Sequence, residues 1–193
     1  MTASTQHPAD QALQNVCPTV MVPRFGELEP LVENGHRFLS ASDGLWVEIR
    51  RPWLHLVWPV AQNNGYPMPY GSVEKKIELA FGTIDQSLID RFVEDARESA
   101  PYEMGAWLIW DDIERKLVYH RLQTLHSGPT SLGVDRPRLN DHESLAIDLH
   151  SHGLLPAFFS RVDDADDLME IKISGVFGDV NSTPSSKFRL CIG

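Results

Sequence analysis

Two histidines, a serine and an aspartate follow one another at a spacing that suits metal chemistry. One residue separates His150 from His152, seven lie between His152 and Ser160, and two lie between Ser160 and Asp163. Imidazole nitrogens and carboxylate oxygens are ligands of zinc, and three protein ligands leave its fourth position open for water or substrate. The spacing therefore predicts a catalytic rather than a structural zinc site, with His150, His152 and Asp163 as its ligands.

The residues before the histidines predict a strand that carries both imidazoles on one face. The run Leu145 to Leu149 alternates apolar with small or polar residues, which is typical of a β-strand. Because side chains at i and i+2 of a strand point to the same side, His150, His152 and Asp148 should project together, and the leucines and isoleucine of the run should face a core. Asp148 is then either an acceptor that orients an imidazole or a solvated carboxylate.

A helix start offers a second interpretation of the serine and the aspartate. Ser160 and Asp163 have the spacing of a capping box, in which the serine is the N-cap. The two interpretations are compatible, because a helix that begins at Ser160 would also fix Asp163 beside the histidines. A His-x-His pair by itself is a weak indication of metal binding, whereas the combined spacing is much more specific.

The complete pattern resembles the JAMM signature of the MPN-domain, or JAB, metalloproteases. That signature reads His-Ser/Thr-His, seven residues, serine, two residues and aspartate, with a glutamate well upstream. The upstream part is similar to the segment from Pro101 to Gly105, in which Glu103 is the matching glutamate and the glycine stands one position early. The resemblance covers residues 76–193. Gly153, where many members have proline, should alter the loop and leave the ligands in place.

The resemblance implies a hydrolytic chemistry. His150, His152 and Asp163 would hold one zinc ion. Glu103 would accept a proton from the attacking water and deliver it to the leaving amine, and Ser160 would donate a hydrogen bond to the oxyanion. Members of the family hydrolyse peptide or isopeptide bonds, often at the C-terminal tail of a ubiquitin-like protein, which would be the partner here.

Two other functions use the same residues. A non-catalytic MPN scaffold would only bind a protein partner, although such scaffolds usually lack metal ligands and none is missing here. A small-molecule amidase would place the same chemistry on a different substrate. The whole chain, including the run from Arg136 to Glu143, is also similar to a component of PRTRC systems, which implies an activating-enzyme-like partner. The sequence indicates no oligomeric state.

The composition narrows the class of protein. Of the 193 residues, 42% are hydrophobic and 23% are charged, which is ordinary for a soluble globular chain. The net charge of −10 argues against non-specific binding of nucleic acid or anionic membranes. We find no apolar run of membrane-spanning length and no signal-peptide pattern, and Cys17 and Cys191 make no disulfide framework. These features predict a reduced, cytoplasmic protein.

The hydrophobic pattern divides the chain into three parts. Residues 1–15 are polar and are predicted to be disordered. Residues 16–75 contain alternating apolar runs and form a β-rich accessory region, whose tryptophans are expected in its core. Residues 76–193 form the JAMM/MPN domain.

Within the last part, a helix is followed by strands. Asp85 is a suitable N-cap for a helix that ends near Ser99, with an apolar face that includes Phe92 and Ala96. Further strands are expected at 103–110, 116–125, 171–177 and 187–192, and a loop at 127–141. The predicted fold class is α+β, with a mixed, MPN-like sheet flanked by helices and an N-terminal β-rich extension. The resemblance also implies cytidine-deaminase-like layering.

Overall fold

The chain forms two compact units in sequence. The computed structural model describes residues 7–63, 65–128 and 131–193, and the division falls after Gly82. We call residues up to Gly82 the N-terminal unit and Thr83–Gly193 the C-terminal unit. No helix in the described ranges has the length and hydrophobicity of a membrane span.

The first described element is a helix, α1 (Pro8–Val16). Proline in its first turn and His7, whose Nδ1 accepts a hydrogen bond from the Ala9 N–H at 3.2 Å, favour a helix start. The structure here departs from the disorder predicted for residues 1–15, of which residues 1–6 lie outside the described chain. None of the helix side chains is buried, so hydrophobic patterning could not indicate it.

A five-stranded sheet makes up the rest of the N-terminal unit. Its strands, in spatial as well as chain order, are β1 (Thr19–Met21), β2 (Gly35–Ala41), β3 (Gly44–Arg51), β4 (Leu54–Gln62) and β5 (Lys76–Leu79). Only the β1–β2 pair of this sheet is parallel. Trp46 and Trp53 are buried as expected, whereas Trp58 is 38% exposed and lies beneath the Lys75 ammonium group.

The position of β5 corrects the predicted domain boundary. From the sequence, residues 76–82 were assigned to the JAMM/MPN domain, which was predicted to begin at residue 76. In the structure β5 pairs antiparallel with β4, with Leu56 opposite Ile77, and therefore completes the N-terminal sheet. The unit consequently extends to Gly82 instead of residue 75.

The C-terminal unit is built on a second five-stranded sheet. Its elements are α2 (Gln86–Ser99), β6 (Gly105–Asp111), β7 (Lys116–Arg121), β8 (Gln123–Gly128), β9 (Ser131–Asp135), β10 (Glu143–Ser151), α3 (Arg161–Asp166), β11 (Ile171–Gly178) and β12 (Ser185–Ile192). The strand order is β12-β11-β10-β6-β7, in which β10 and β11 run parallel and the other pairs antiparallel. The predicted α+β class with a mixed sheet is confirmed, and the cytidine-deaminase-like layering stays a prediction.

Strands β8 and β9 occupy part of a region that was expected to be a loop. They form an antiparallel hairpin of their own, with Gln123 opposite Asp135. Within the predicted loop at 127–141, the described residues up to Asp135 belong to strands, and the irregular part begins after Asp135. Residues 129–130 lie outside the described chain. Prolines and glycines in this segment suggested a loop, but a hairpin accommodates glycine as well.

Helix α2 packs on the sheet next to the strands that carry the site. The Asp85 side chain accepts a hydrogen bond from the Ser87 N–H at 2.9 Å, which confirms the predicted N-cap. Phe92 and Ala96 are fully buried, and the Phe92 ring lies 5.0 Å from that of Phe177 on β11. These contacts fix one layer of the unit against the strand next to the histidines.

A bulge in β10 changes which side chains share the histidine face. Leu145 pairs with Ile109 and Ile147 with Leu108, so Ala146 is the extra residue. Ile147 is fully buried on the opposite face, as the alternation predicted. Leu145, by contrast, packs against Ile109 on the histidine side, because the inserted residue reverses the alternation before it.

Candidate metal centre

Strand pairing brings Glu103 to the two histidines. His150 lies opposite Gly105 in the antiparallel pair of β10 and β6. One residue further, the Ser151 N–H donates to the Met104 carbonyl at 2.9 Å, and the Met104 N–H donates to Ser151 Oγ at 3.2 Å. Continuation of this register sets Glu103 opposite His152 on the same face of the sheet. The buried serine between the histidines thus fastens the segment that carries the glutamate.

A tight turn then carries the chain back towards the histidines. Gly153 has φ +56°, and a Cβ at this position would lie 2.6 Å from the Pro101 carbonyl oxygen, so only glycine fits. The Leu155 N–H donates to the His152 carbonyl at 3.0 Å, which closes the turn. Phe158 follows, and its ring packs edge-on against the His152 imidazole with centroids 4.5 Å apart.

Ser160 and Asp163 form the predicted capping box at the start of α3. Ser160 Oγ accepts from the Asp163 N–H at 3.2 Å, and Asp163 Oδ2 accepts from the Ser160 N–H at 2.6 Å. The reciprocal bonds fix the carboxylate over the histidine face. The capping interpretation of this pair is confirmed, and the cap also orients Asp163 as the candidate ligand.

The three predicted ligands meet at one point. His150 Nε2 lies 3.3 Å from His152 Nε2 and 3.2 Å from Asp163 Oδ1, and His152 Nε2 lies 3.8 Å from Asp163 Oδ2. Ligand atoms about 2.0–2.2 Å from a tetrahedral zinc lie about 3.3–3.6 Å from one another. The observed separations of 3.2–3.8 Å are close to these values, although the longest is measured to the second oxygen of Asp163. The two-nitrogen, one-oxygen donor set fits a zinc ion with one open position.

Burial and charge tune these groups in opposite directions. Burial raises the pKa of Asp163, but hydrogen bonds from His150 and from the Ser160 backbone outweigh it and hold the pKa well below its usual range. Burial lowers the pKa of His152, and the neighbouring His150 lowers it further. An ionised carboxylate beside a neutral imidazole is the protonation state that metal coordination requires.

Glu103 has a different electrostatic setting. Glu103 is buried, with 8% of its surface exposed. Burial raises the pKa of Glu103, His150 opposes the rise and the charge of Asp163 adds to it. A carboxylate with a raised pKa accepts a proton more readily near neutral pH than an ordinary surface glutamate.

These groups share one small cleft in the C-terminal unit. The cleft has a volume of about 100 Å³, and its walls include Glu103, Ser160 and the three candidate ligands. Trp107 of β6 and Val134 of β9 form part of the rim. The Glu103 carboxylate, the Ser160 hydroxyl group and the three candidate ligands therefore line the same cleft.

Comparison with known protein families agrees with this geometry. Residues 85–191 match the family described as "Prokaryotic homologs of the JAB domain", which is more than half of the chain. The chain belongs to this family. Residues 7–80 match a second family, described as "Domain of unknown function (DUF2016)". No curated protein and no solved structure gives a significant match.

The family assignment confirms the resemblance to the JAB domain, whereas the similarity to PRTRC components stays a prediction. The match lies within the predicted range of the JAB domain and contains Glu103, Ser160 and all three candidate ligands. The family includes metalloproteases as well as non-catalytic members, so membership identifies the domain and leaves its activity to be argued from the site. The two family matches are separated by residues 81–84, where the structure also divides.

Asp148 of the JAB domain does not contact a histidine. Its Oδ2 lies 2.8 Å from Lys172 Nζ, in an ion pair with a lysine on β11 that is only 2% exposed. The sequence suggested either an acceptor for an imidazole or a solvated carboxylate, and the structure has neither. The sequence did not indicate this lysine, because two of its ion partners, Asp148 and Asp167, come from other segments of the chain.

The acidic residues that follow Asp163 include two, Asp164 and Asp167, that bind an arginine of the neighbouring sheet. Arg189 on β12 donates to Asp164 Oδ1 at 2.6 Å and to Asp167 Oδ2 at 2.6 and 2.8 Å. The Asp167 side chain is 9% exposed. Asp166 is exposed, and no ion pair involves it in the described chain.

Proposed function

We propose that this protein is a zinc-dependent peptidase or isopeptidase of the JAMM type. The observation that carries the proposal is the meeting of two imidazole nitrogens and a carboxylate at 3.2–3.8 Å, at the spacing of a tetrahedral zinc site. Zinc in this site would lower the pKa of a water molecule towards 7 and polarise the carbonyl of the scissile bond.

Glu103 is the proposed general base. It shares the cleft with the ligand triad, lies opposite His152 and has a raised pKa because it is buried. It takes the proton of the attacking water and returns it to the leaving nitrogen, which cannot depart as an anion. General acid–base groups of this kind contribute about 100-fold to 10,000-fold to the rate.

Ser160 is the proposed donor to the oxyanion. A hydroxyl group has two acceptor lone pairs and one hydrogen, and the capping bond from the Asp163 N–H uses a lone pair only. The hydrogen therefore remains available for the substrate oxygen while the helix stays capped. Loss of one such donor costs about 100-fold to 1000-fold in turnover.

The proposed substrate is the extended C-terminal tail of a ubiquitin-like protein or its conjugate. An extended tail can lay its scissile bond in the cleft beside the ligand triad, and its backbone can pair with an exposed strand edge. The similarity to PRTRC components supports an activating-enzyme-like protein as a second partner in the same system. The net charge of −10 supports neither a nucleic-acid nor a membrane partner.

A cleavage assay with matched variants tests this function. The full chain is purified without added zinc, its metal content is measured, and it is incubated with linear fusions of ubiquitin-like proteins and with small amides. Glu103→Gln should bind one zinc ion and lose cleavage, because an amide cannot take the proton. Glu98→Gln, a 67% exposed glutamate side chain on α2, is the control and should retain activity.

The outcomes separate the alternatives. Absence of zinc, together with partner binding that Asp163→Ala does not affect, identifies a non-catalytic scaffold. Cleavage of small amides but of no fusion identifies an amidase at the same site. Cleavage that survives in Glu103→Gln shows that another group is the base.

A further inference from the structure

A buried lysine joins the two segments that carry the metal ligands. Lys172 Nζ lies 2.8 Å from Asp148 Oδ2 and 3.0 Å from Asp167 Oδ1. Asp148 stands on β10, two residues before His150, and Asp167 is the C-cap of α3, the helix that carries Asp163. One ammonium group therefore spans the strand of the histidines and the helix of the aspartate.

Arg189 holds the same helix from β12. Its guanidinium donates to Asp164 in the first turn of α3 and makes two bonds to Asp167 at the C-cap. It also lies 3.9 Å from the ring centroid of Phe159, the residue before the N-cap. The arginine thus contacts the chain at both ends of α3.

A helix of this length needs such contacts to keep its place. Helix α3 has six residues, and helices shorter than about 12–15 residues are marginal on their own. The capping box shapes its first turn, but nothing in a cap determines where the helix lies on the sheet. In the described chain, the ion pairs of Lys172 and Arg189 connect α3 to β10, β11 and β12.

The charge of the lysine is well supported. Burial lowers the pKa of Lys172, but the charge of Asp148 and the hydrogen bonds of Asp148, Glu170 and Asp167 outweigh it and hold the pKa above its usual value. Glu170 Oε2 is the third partner, at 2.6 Å. The three carboxylates fully compensate the buried ammonium group. Its removal would leave Asp148 without the ion pair that the described chain gives it, whereas Asp167 would keep its pair with Arg189.

We propose that Lys172 and Arg189 form a clamp on α3 that holds Asp163 at ligand distance from His150. Both are positioning residues, since neither contacts the ligand triad. The inference rests on the metal site of the proposed function and adds residues that control its geometry. When the ligands of a metal site come from separate elements, contacts that hold those elements together contribute to the affinity for the ion.

Zinc affinity tests the clamp. The affinity of the full chain for zinc is measured by competition with a chromophoric chelator for wild type, Lys172→Met and Arg189→Met. Each clamp variant should bind zinc about tenfold more weakly, which is the lower end of the loss for a direct partner of a metal ligand, because Lys172 and Arg189 act one contact further out. Lys116→Met is the control, because this lysine side chain is 60% exposed and pairs with a surface carboxylate, Glu114, at 3.6 Å.

A second measurement separates positioning from simple stability. Thermal unfolding of the metal-free variants is followed alongside zinc affinity, and a purely structural role would lower the unfolding midpoint without weakening zinc binding. If Lys172→Met fails to fold, Arg189→Met decides the matter, because its side chain is 29% exposed and its loss is better tolerated. Folded variants with wild-type zinc affinity overturn the clamp.

The same experiment distinguishes this inference from the proposed function. Wild-type protein that binds no zinc overturns both. Wild-type protein that binds zinc and cleaves nothing overturns only the proposed hydrolysis, while weakened zinc binding in the clamp variants still supports the clamp.

Discussion

Replacement of Ser151 by alanine tests how the segment of Glu103, the proposed general base, is held beside the histidine strand. Ser151 is fully buried, and its Oγ accepts the Met104 N–H at 3.2 Å, next to Glu103. Met104 is 2% exposed, so water cannot easily replace the lost acceptor. Leaving a buried donor unpaired costs about 1–3 kcal/mol. For a unit of this size, that loss lowers the melting temperature by about 4–12 °C.

Differential scanning calorimetry of the metal-free chain measures this effect. The relevant transition is the one that added zinc raises, because a ligand stabilises only the unit that binds it. Ser182→Ala is the matched control, since its hydroxyl donates to the Asp179 carbonyl at 3.1 Å on the surface and its loss should cost under about 0.5 kcal/mol.

The functional consequence of Ser151→Ala is equally specific. Glu103 should lose its fixed position while the imidazoles keep theirs, so cleavage should slow and zinc affinity should change little. An unfolding midpoint equal to that of wild type would refute the reasoning, because the hydroxyl would then not anchor the Met104 segment. A large loss of zinc with normal cleavage per bound ion would refute it from the other side.

Three further predictions concern the same unit. His150→Ala and His152→Ala should lower zinc occupancy measured by mass spectrometry, whereas exposed His120→Ala should not; unchanged occupancy would contradict the ligand assignment. Ser160→Ala should lower kcat more than it raises KM, while Ser160→Thr keeps both the cap and the hydroxyl; a rise in KM alone would reduce the serine to a helix cap, worth about 1 kcal/mol. Burial raises the pKa of Asp167, but hydrogen bonds from Arg189 and Lys172 outweigh this effect and hold the pKa below its usual value. The ionised carboxylate therefore stabilises the fold above about pH 4, and this contribution is lost at lower pH. Asp167→Asn should therefore destabilise the metal-free chain at pH 7, and its difference in melting temperature from wild type should shrink as the pH falls below about 4; a constant difference would contradict the linkage.

Much of the ligand triad was predictable because each part depends on local pattern. Strand alternation alone sets His150 and His152 on one face, and the capping box sets Asp163 at the start of a helix. The apolar face and N-cap of α2 follow from the same kind of short-range rule. The family resemblance supplied Glu103, which no local rule would have singled out among the acidic residues.

The features that the sequence did not reveal depend on distant partners. Lys172 lies in an apolar strand. Glu170 is close to it in sequence, but Asp148 and Asp167 come from β10 and the end of α3, so no local pattern indicates that the lysine is buried among three carboxylates. Alternation of apolar and polar residues can indicate a strand such as β5, but it cannot tell which sheet the strand joins. The bulge at Ala146 inserts one residue against β6, and its effect on Leu145 appears only when both strands are paired.

The Asp163 carboxylate divides its two oxygens between folding and chemistry. One is engaged by the Ser160 N–H at 2.6 Å, and the other faces His150. Since the backbone holds this side chain in place whether or not a cation is present, the pocket is preorganised and the entropic cost of assembling it is met when the chain folds. If the site binds zinc as proposed, the protein should release the ion to a chelator and bind another while it stays folded, unlike small zinc domains that unfold without their metal.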